Sequence, residues 1–142
     1  MSIELSTDPS LMSLADIAAI YASVGFGSEA DYIGRPHFME RLFGPGVFGV
    51  FAFDGGKPVG FLRALSDGCM VAWIAEVCVI PSHQRRGIGR RLMQAADAHF
   101  PDVALYAEAF TQNAVFFNAC GLRTRPVLTA CARGPLTRAV AA

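Results

Sequence analysis

Val71-Ala72-Trp73-Ile74-Ala75-Glu76-Val77-Cys78-Val79-Ile80 is the stretch that decides the fold. Its length and β-branched content predict a buried strand, and Pro81 ends it because proline has no N–H to continue a ladder. A loop follows over Ser82–Gly89, and apolar residues then recur at helical spacing from Arg90 to His99. The order is therefore strand, glycine-containing loop, helix.

The start of this helix is suited to binding an anion. The first turn of a helix carries unpaired N–H groups and the positive end of the helix dipole. Gly87 and Gly89 have no Cβ to hold a ligand away from the backbone, and Arg85, Arg86 and Arg90 add positive charge. The pattern predicts a phosphate or pyrophosphate site. It lacks both the Lys-Ser/Thr of a nucleotide P-loop and the third glycine of a dinucleotide-binding motif.

The segment Gln84-Arg85-Arg86-Gly87-Ile88-Gly89, set behind Val77–Pro81, resembles the acetyl-CoA pyrophosphate loop of the GNAT superfamily. That motif reads Gln/Arg-x-x-Gly-x-Gly/Ala after a strand ending in Val-x-Pro. The resemblance implies an acetyl-CoA-dependent N-acetyltransferase that acts on a primary amine of a small molecule or peptide, by direct attack in a ternary complex. It also implies an α/β fold of the small bacterial type: one domain over residues 1–142, with a mixed central sheet whose fourth and fifth strands splay, flanked by helices.

The resemblance further implies which residues contact acetyl-CoA. Backbone amides of Gln84–Gly89 would hold the pyrophosphate. Cys78 and Val79 would pair with the pantetheine arm like an added strand, and a main-chain N–H near Val77 or Cys78 would polarise the thioester carbonyl. The expected contact residues are Val77, Cys78, Val79, Gln84, Arg85, Arg86, Gly87, Ile88, Gly89, Arg90, Asn113, Phe116 and Phe117.

Glu76 is the candidate for acid–base chemistry, because it interrupts an otherwise apolar strand, where an unpaired carboxylate is costly to bury. In similar acetyltransferases an acidic residue near this position removes a proton from the amine, often through water. The alternative is a structural ion pair, for example with Arg63 on the preceding strand. Asp67 and Glu108 are lesser candidates, since each can simply be solvated.

The sequence departs from the family where a tyrosine commonly protonates the leaving thiolate. Phe116-Phe117 precedes Gly121-Leu122 where the family has Phe-Tyr before Gly-Phe, so Phe117 stands in the place of the tyrosine and cannot donate a proton. The two phenylalanines are then expected to serve as core and as an apolar wall of the cofactor channel. Tyr106 on the preceding predicted strand is a candidate substitute, although it can equally be a half-buried strand tyrosine.

Composition agrees with a globular protein. Of the 142 residues 53% are hydrophobic, and twelve basic residues balance twelve acidic ones, so no bulk charge indicates nucleic acid or an anionic membrane surface. There is no apolar run long enough to span a bilayer and no signal-peptide pattern at the N-terminus, so we expect a cytoplasmic protein.

Cys69, Cys78, Cys120 and Cys131 form neither a disulfide framework nor a zinc motif, which predicts free thiols and no metal. A nucleophilic role for Cys78 or Cys120 has no neighbouring base to support it.

Turn residues divide the rest of the chain into short elements. Ser13 begins a helix, with an acid three residues on as in a capping box. The predicted elements are a strand over Ser2–Ser6, a helix from Leu14 to Gly25, a helix over Pro36–Leu42, hairpin strands Val47–Phe53 and Lys57–Leu65, a strand over Val103–Ala109, a helix over Thr111–Cys120 and a weaker strand over Val127–Cys131, before an irregular tail from Arg133.

Two other functions remain open at this stage. One is an acyl-CoA-binding sensor without turnover, which Phe117 favours, and the other is an interaction protein that has the same fold. The amine, the length of the acyl group and the oligomeric state, including a possible homodimer, are not specified by the sequence. The early loops from Gly25 to Pro45, which would select the amine, have a mixed composition.

Overall fold

A computed structural model describes residues 2–133 of the chain. This part of the chain contains five strands, four helices and four short 3₁₀ turns. The turns lie at Pro9–Leu11, Glu29–Asp31, Pro81–His83 and Thr111–Asn113. In chain order the elements are β1 (Ile3–Ser6), α1 (Leu14–Ser23), α2 (Phe38–Leu42), β2 (Val47–Asp54), β3 (Lys57–Ser66), β4 (Val71–Val79), α3 (Ile88–His99), β5 (Ala104–Ala107) and α4 (Ala114–Ala119).

The strands form one mixed sheet in the order β1-β2-β3-β4-β5. The first four pair antiparallel, while β4 and β5 pair parallel over Val71–Ile74 and Ala104–Ala107 only. Parallel neighbours need a crossover connection, which α3 supplies. The predicted mixed α/β fold, with a sheet flanked by helices, is confirmed.

A β-bulge interrupts the pairing of β3 with β4. Arg63 pairs with Glu76 and Ala64 pairs with Ile74, so Ala75 is the extra residue. Side chains of a regular strand alternate between faces, and residues three apart would point to opposite sides. Because of the bulge, Trp73 (opposite Leu65) and Glu76 (opposite Arg63) lie on the same face of the sheet.

Helix α1 covers one face, which we call the α1 face. Its start is a capping box, as predicted: Asp16 N–H donates to Ser13 Oγ at 3.0 Å and Ser13 N–H donates to Asp16 Oδ2 at 2.9 Å. The Tyr21 ring then packs edge-on to Phe61 of β3, with ring centroids 5.2 Å apart. The buried cluster on this face consists of Met12, Ile17, Ile20, Tyr21, Phe51, Phe61 and Cys78.

Helix α3 covers the opposite face. Its buried residues recur every three to four positions, so a single stripe of the helix faces the sheet. The stripe consists of Ile88, Leu92, Met93 and Ala96, and the sheet presents Val50, Leu62, Ala64 and Ile74 among its buried side chains. The two helices thus cover opposite faces of the sheet.

Backbone contacts divide the chain into two compact units, Met1–Ala107 and Glu108–Ala142. The second unit contains α4, which ends as predicted at Gly121 with φ +93°. The predicted strand Val127–Cys131 is wrong: this segment has no regular structure, and Leu128 N–H donates to Arg125 O in a turn. Val127 and Leu128 are 83% and 59% exposed, and the preceding Pro126 has no N–H for a ladder. The tail beyond Arg133 lies outside the described residues.

The boundaries of other elements shift by one to three residues. Helix α2 begins at Phe38 rather than Pro36, because His37 has a left-handed φ of +59°. Strand β5 is limited to Ala104–Ala107, so Val103, Glu108 and Ala109 are not part of it. Among residues 2–133, no helix is long and apolar enough to cross a membrane.

Candidate functional site

The loop between β4 and α3 has a backbone shaped for anion binding. Arg85 and Gly87 both adopt left-handed conformations, with φ +62° and +82°, and this region is uncommon for a residue with a Cβ. The first hydrogen bond of α3 runs from Arg91 N–H to Gly87 O at 3.1 Å. The N–H groups of Ile88 and Gly89 therefore precede the first helical donor, at the positive end of the helix dipole. Donors at this end of a helix can bind an anion, so the phosphate or pyrophosphate site stays a prediction.

Side chains fix this loop to the sheet. Gln84 Nε2 donates to Val79 O at 2.8 Å, so its amide braces the end of β4. His83 Nε2 shares a hydrogen bond of 2.8 Å with Asp54 Oδ2, at the end of β2, and its Nδ1 shares another with Ser82 Oγ. Arg91, on the first turns of α3, donates from Nη1 to Ile3 O at 2.9 Å. These hydrogen bonds thus anchor the loop and the start of α3 to the sheet.

The second half of β4 has an open edge on the β5 side. Pairing with β5 ends at Ile74, and no further β4–β5 pair occurs in the described part of the chain. Ile80 N–H donates to Val59 O of β3 at 2.9 Å. Main-chain groups alternate in direction along a strand, so the N–H of Cys78 also points to β3. The N–H groups of Val77 and Val79 point to the open edge. An extended chain can add there as a further strand.

Glu76 forms a bidentate ion pair with Arg63. Arg63 Nε donates to Glu76 Oε2 and Arg63 Nη2 donates to Glu76 Oε1, both at 2.8 Å. The two side chains are 16% and 18% exposed, so the pair is largely removed from water. Burial lowers the pKa of Arg63, but the hydrogen bond and charge of Glu76 outweigh it and the pKa is raised. The structural pair that the sequence suggested as the alternative is present.

Two further groups pack around this pair. Tyr21 is buried, and its burial, assisted by the charge of Glu76, raises the pKa of the hydroxyl. Burial raises the pKa of the Cys78 thiol to about 12, with a further contribution from Glu76. Cys78 is therefore a neutral thiol at physiological pH, which removes it as a nucleophile. Sequence reasoning missed Tyr21, because only the packing of α1 on the sheet brings it to Glu76.

Asp67 is a structural residue of the β3–β4 turn. Its Oδ1 accepts hydrogen bonds from the N–H groups of Cys69, Met70 and Val71 at 2.8–3.1 Å, and these lower its pKa to about 2. A carboxylate held in this way is a poor proton acceptor near neutral pH. Its role as a lesser catalytic candidate is therefore not supported.

Tyr106 lies on β5 with its Cα opposite that of Trp73, and is 51% exposed. Trp73 is itself 41% exposed, so the expectation of a fully buried β4 is wrong at this residue. The bulge places Trp73 on the α1 face, where Cys78 is the β4 residue that belongs to the buried cluster. A single tryptophan within an apolar run was the only sequence signal.

The remaining predicted contact residues belong to the second compact unit. Asn113 precedes α4 and donates its N–H to Phe110 O at 2.8 Å. The rings of Phe116 and Phe117 on α4 meet edge-to-face, with centroids 5.1 Å apart. Both side chains are half-buried, and Glu108 is exposed. Within residues 2–133, no cluster of three or more His, Cys, Asp or Glu side chains could hold a metal ion.

The model of the acetyltransferase (GNAT) family matches residues 11–122, from the turn before α1 to the end of the α4 region. This match covers most of the chain and includes β4, the loop and α3. The chain belongs to the GNAT acetyltransferase family. Acetyl transfer is the activity of the family.

Curated relatives match over shorter segments. The chain is 41% identical over 73 residues to GCN5-related N-acetyltransferase 3 of Arabidopsis thaliana, and 41% identical over 58 residues to serotonin N-acetyltransferase 2 of Oryza sativa subsp. japonica. These segments are 46% and 37% of this chain. Each represents 29% of the relative's own length, so neither relative assigns a substrate to this protein.

Solved structures match over almost the whole chain. A GNAT family acetyltransferase from Streptococcus pneumoniae superposes with a TM-score of 0.71 at 25% identity, covering 95% of this chain and 99% of that one. A putative GNAT acetyltransferase from Xanthomonas campestris gives 0.72 at 22% identity, covering 94% of each chain. An aminoglycoside acetyltransferase from an uncultured soil sample gives 0.71 at 19% identity, covering 95% and 100%. The last two show a shared fold.

Proposed function

We propose that this protein transfers the acetyl group of acetyl-CoA to a primary amine by direct attack within a ternary complex. The observation that carries the proposal is the anchored loop Gln84–Gly89, which lies between the open edge of β4 and the first turn of α3. Its N–H donors and neighbouring arginines suit a pyrophosphate. The open edge suits an extended arm that pairs like a strand, with its main-chain partners at Val77 and Val79.

The proposed chemistry needs one proton acceptor. An alkylamine with a pKa near 10 is protonated at neutral pH and cannot attack until it loses a proton. Glu76 is the carboxylate on β4 nearest the bulge, and it accepts that proton through water while Arg63 holds its orientation. The amine nitrogen then bonds to the thioester carbonyl carbon and the C–S bond breaks. The leaving thiolate takes up the second proton that the nitrogen loses as the amide forms, so the products are the acetylated amine and the free thiol.

The oxygen of the thioester carbonyl gains negative charge during this step. The N–H of Val77 points to the open edge of β4 beside Glu76, and we assign to it the stabilisation of that oxygen. This assignment differs from a role for the Cys78 N–H, which faces β3. Cys78 itself stays a neutral buried thiol, so no acetyl-cysteine forms.

A second function is favoured by one observation: Arg63 occupies both oxygens of Glu76, which would suit a protein that binds acyl-CoA without turnover. Thiol release separates the two functions. The protein should be incubated with acetyl-CoA and a panel of amines, amino acids, peptides and polyamines, with mass spectrometry of the product. Amine-dependent thiol release with an acetylated product supports the transferase. Tight binding of acetyl-CoA, with no thiol released in the presence of any of the amines, supports the sensor.

A further inference from the structure

An exposed apolar row crosses three strands on the α1 face, directly beside Glu76. Leu65 of β3 is opposite Trp73 of β4, which in turn is opposite Tyr106 of β5. The three side chains are 38%, 41% and 51% exposed. We call Leu65, Trp73 and Tyr106 the aromatic row.

The row is adjacent to the Glu76 carboxylate because of the bulge at Ala75. On β3, Leu65 and Arg63 are two residues apart on one face, which is a separation of about 6.6 Å along a strand. Their β4 partners are Trp73 and Glu76, so the row and the ion pair are consecutive steps of the same face. Without the bulge, Trp73 would point to the α3 face and the row would not exist.

We infer that the aromatic row binds the body of the acceptor amine, and that the acceptor is an arylalkylamine, with a ring joined to the amine by a short alkyl linker. This inference rests on the proposed function, because it places the amine nitrogen at Glu76. If the ring lies on Trp73 and Tyr106, a linker of two or three carbons spans the distance from the ring to Glu76, which belongs to the next side-chain pair on the same face. Aromatic rings bind one another in offset or edge-to-face arrangements, and their burial is favourable.

The size of the row favours a small ligand over a protein partner. Three partly exposed side chains present far less than the roughly 800 Å² that each partner of a stable complex buries. Each of the three is also partly buried by its neighbours, which limits side-chain motion and provides a preformed surface. A long polyamine would gain little from these apolar groups, although a cation can also lie over a tryptophan ring.

Trp73 allows a direct test, since it is the single tryptophan of the chain. The intrinsic fluorescence of the full chain should be titrated with 2-phenylethylamine, excited where this amine does not absorb, and with ethylamine and spermidine for comparison. We expect a saturable change with 2-phenylethylamine at concentrations at least about tenfold below those of the other two amines. Equal responses to all three amines, or no response to any, would overturn the inference.

Steady-state kinetics provide the second measurement. Trp73→Ala should raise KM for 2-phenylethylamine about tenfold with little change in kcat, and Trp73→Phe should recover much of the loss because it restores a ring. The KM for ethylamine should hardly change. Met70→Ala is the matched control, because Met70 is 72% exposed on the neighbouring turn and lies outside the row. Loss of kcat for all amines alike in Trp73→Ala would contradict a binding role.

The outcomes separate this inference from the proposed function. If no amine releases thiol, the proposed function fails, while the fluorescence titration still reports on the row. If ethylamine and 2-phenylethylamine are acetylated with equal kcat/KM, the transferase stands and the aromatic row is not its acceptor site. If the fluorescence depends on protein concentration and light scattering shows a dimer, the row is a contact between two copies of the chain, and the inference is overturned.

Discussion

The guanidinium of Arg63 donates one hydrogen bond of 2.8 Å to each carboxylate oxygen of Glu76, across the β3–β4 ladder and immediately beyond the β-bulge at Ala75. A fork of this kind fixes the carboxylate in one plane. It also makes each partner depend on the other, since either charge alone would be left in a largely buried position.

The first prediction concerns this mutual dependence. Arg63→Leu should lower the free energy of unfolding by on the order of 3 kcal/mol, because it leaves Glu76 without its partner. Glu76→Leu should have a similar cost. The double substitution should be less destabilising than the sum of the two, since apolar residues often replace a buried pair without loss. Urea denaturation of all four proteins measures the coupling, and simple additivity would mean that the pair does not stabilise the fold.

The second prediction concerns the proton acceptor. Glu76→Gln keeps the shape of the side chain and removes its negative charge. It should lower kcat/KM for the amine by roughly 10²–10⁴ at neutral pH, with partial recovery as the amine itself deprotonates at higher pH. Because Gln also leaves Arg63 without a counter-charge, folding must be checked by circular dichroism. A folded variant with the rate of the unsubstituted protein would return Glu76 to a purely structural role.

The third prediction concerns Cys78, whose burial raises the pKa of its thiol to about 12. In the unfolded chain the thiol would ionise near its ordinary pKa of 9.0, so above this pH the unfolded state binds fewer protons than the folded state. The stability from the protonated thiol is complete below pH 9 and is lost as pH rises toward 12. The free energy of unfolding should thus fall by at most about 1.4 kcal/mol per pH unit in this range.

Cys78→Ala is the matching variant, and it should flatten this decline relative to the unsubstituted protein while lowering stability at neutral pH. Tyr21 adds to the residual slope, because its pKa is also raised. An unchanged slope in Cys78→Ala would show that the buried thiol is not its source. Iodoacetamide labelling gives an independent check: Cys69 and Cys131, which are exposed, should react well before Cys78.

The fourth prediction concerns Phe117, which the resemblance in sequence aligns with a tyrosine of the family. The leaving thiol has a pKa of about 8.5, taking cysteine as its model, whereas the attacking amine has a pKa near 10. The tetrahedral intermediate should therefore expel the thiolate more readily than the amine. The reaction should proceed without an acid, so kcat should rise with pH and then level off while the protein stays folded. A pH–rate profile at saturating acetyl-CoA tests this. A falling alkaline limb in folded enzyme would show that an acid is used, and loss of that limb in Tyr106→Phe would identify it.

Local signals in the sequence were sufficient for the elements that surround the loop. Pro81 and the glycines of Gln84–Gly89 mark the end of β4 and the start of α3, and Ser13 with Asp16 marks the start of α1. These features depend on residues close together in the chain, so the sequence predicts them directly. The Arg63–Glu76 pair was an open alternative, because the register of β3 on β4 decides whether the two side chains meet.

Other features depend on contacts between distant parts of the chain. The bulge at Ala75 exists only in the pairing with β3, so nothing in the run itself indicates that Trp73 and Glu76 share a face. The position of Tyr21 beside Glu76 depends on how α1 lies on the sheet. Val127–Cys131 shows the opposite error: its β-branched residues favour a strand, but the described part of the chain gives it no neighbouring strand, and local propensity alone does not make one.

The central claim is that Gln84–Gly89 binds acetyl-CoA, and calorimetric titration of a Gly89 variant tests it most directly. Gly89→Val adds a branched Cβ at the first turn of α3, where the backbone would meet the pyrophosphate. Gln94→Val is the control, because it places the same residue at an exposed position of the same helix. We predict that Gly89→Val folds but no longer binds acetyl-CoA, whereas Gln94→Val binds it like the unsubstituted protein. Unchanged affinity in folded Gly89→Val would contradict the account.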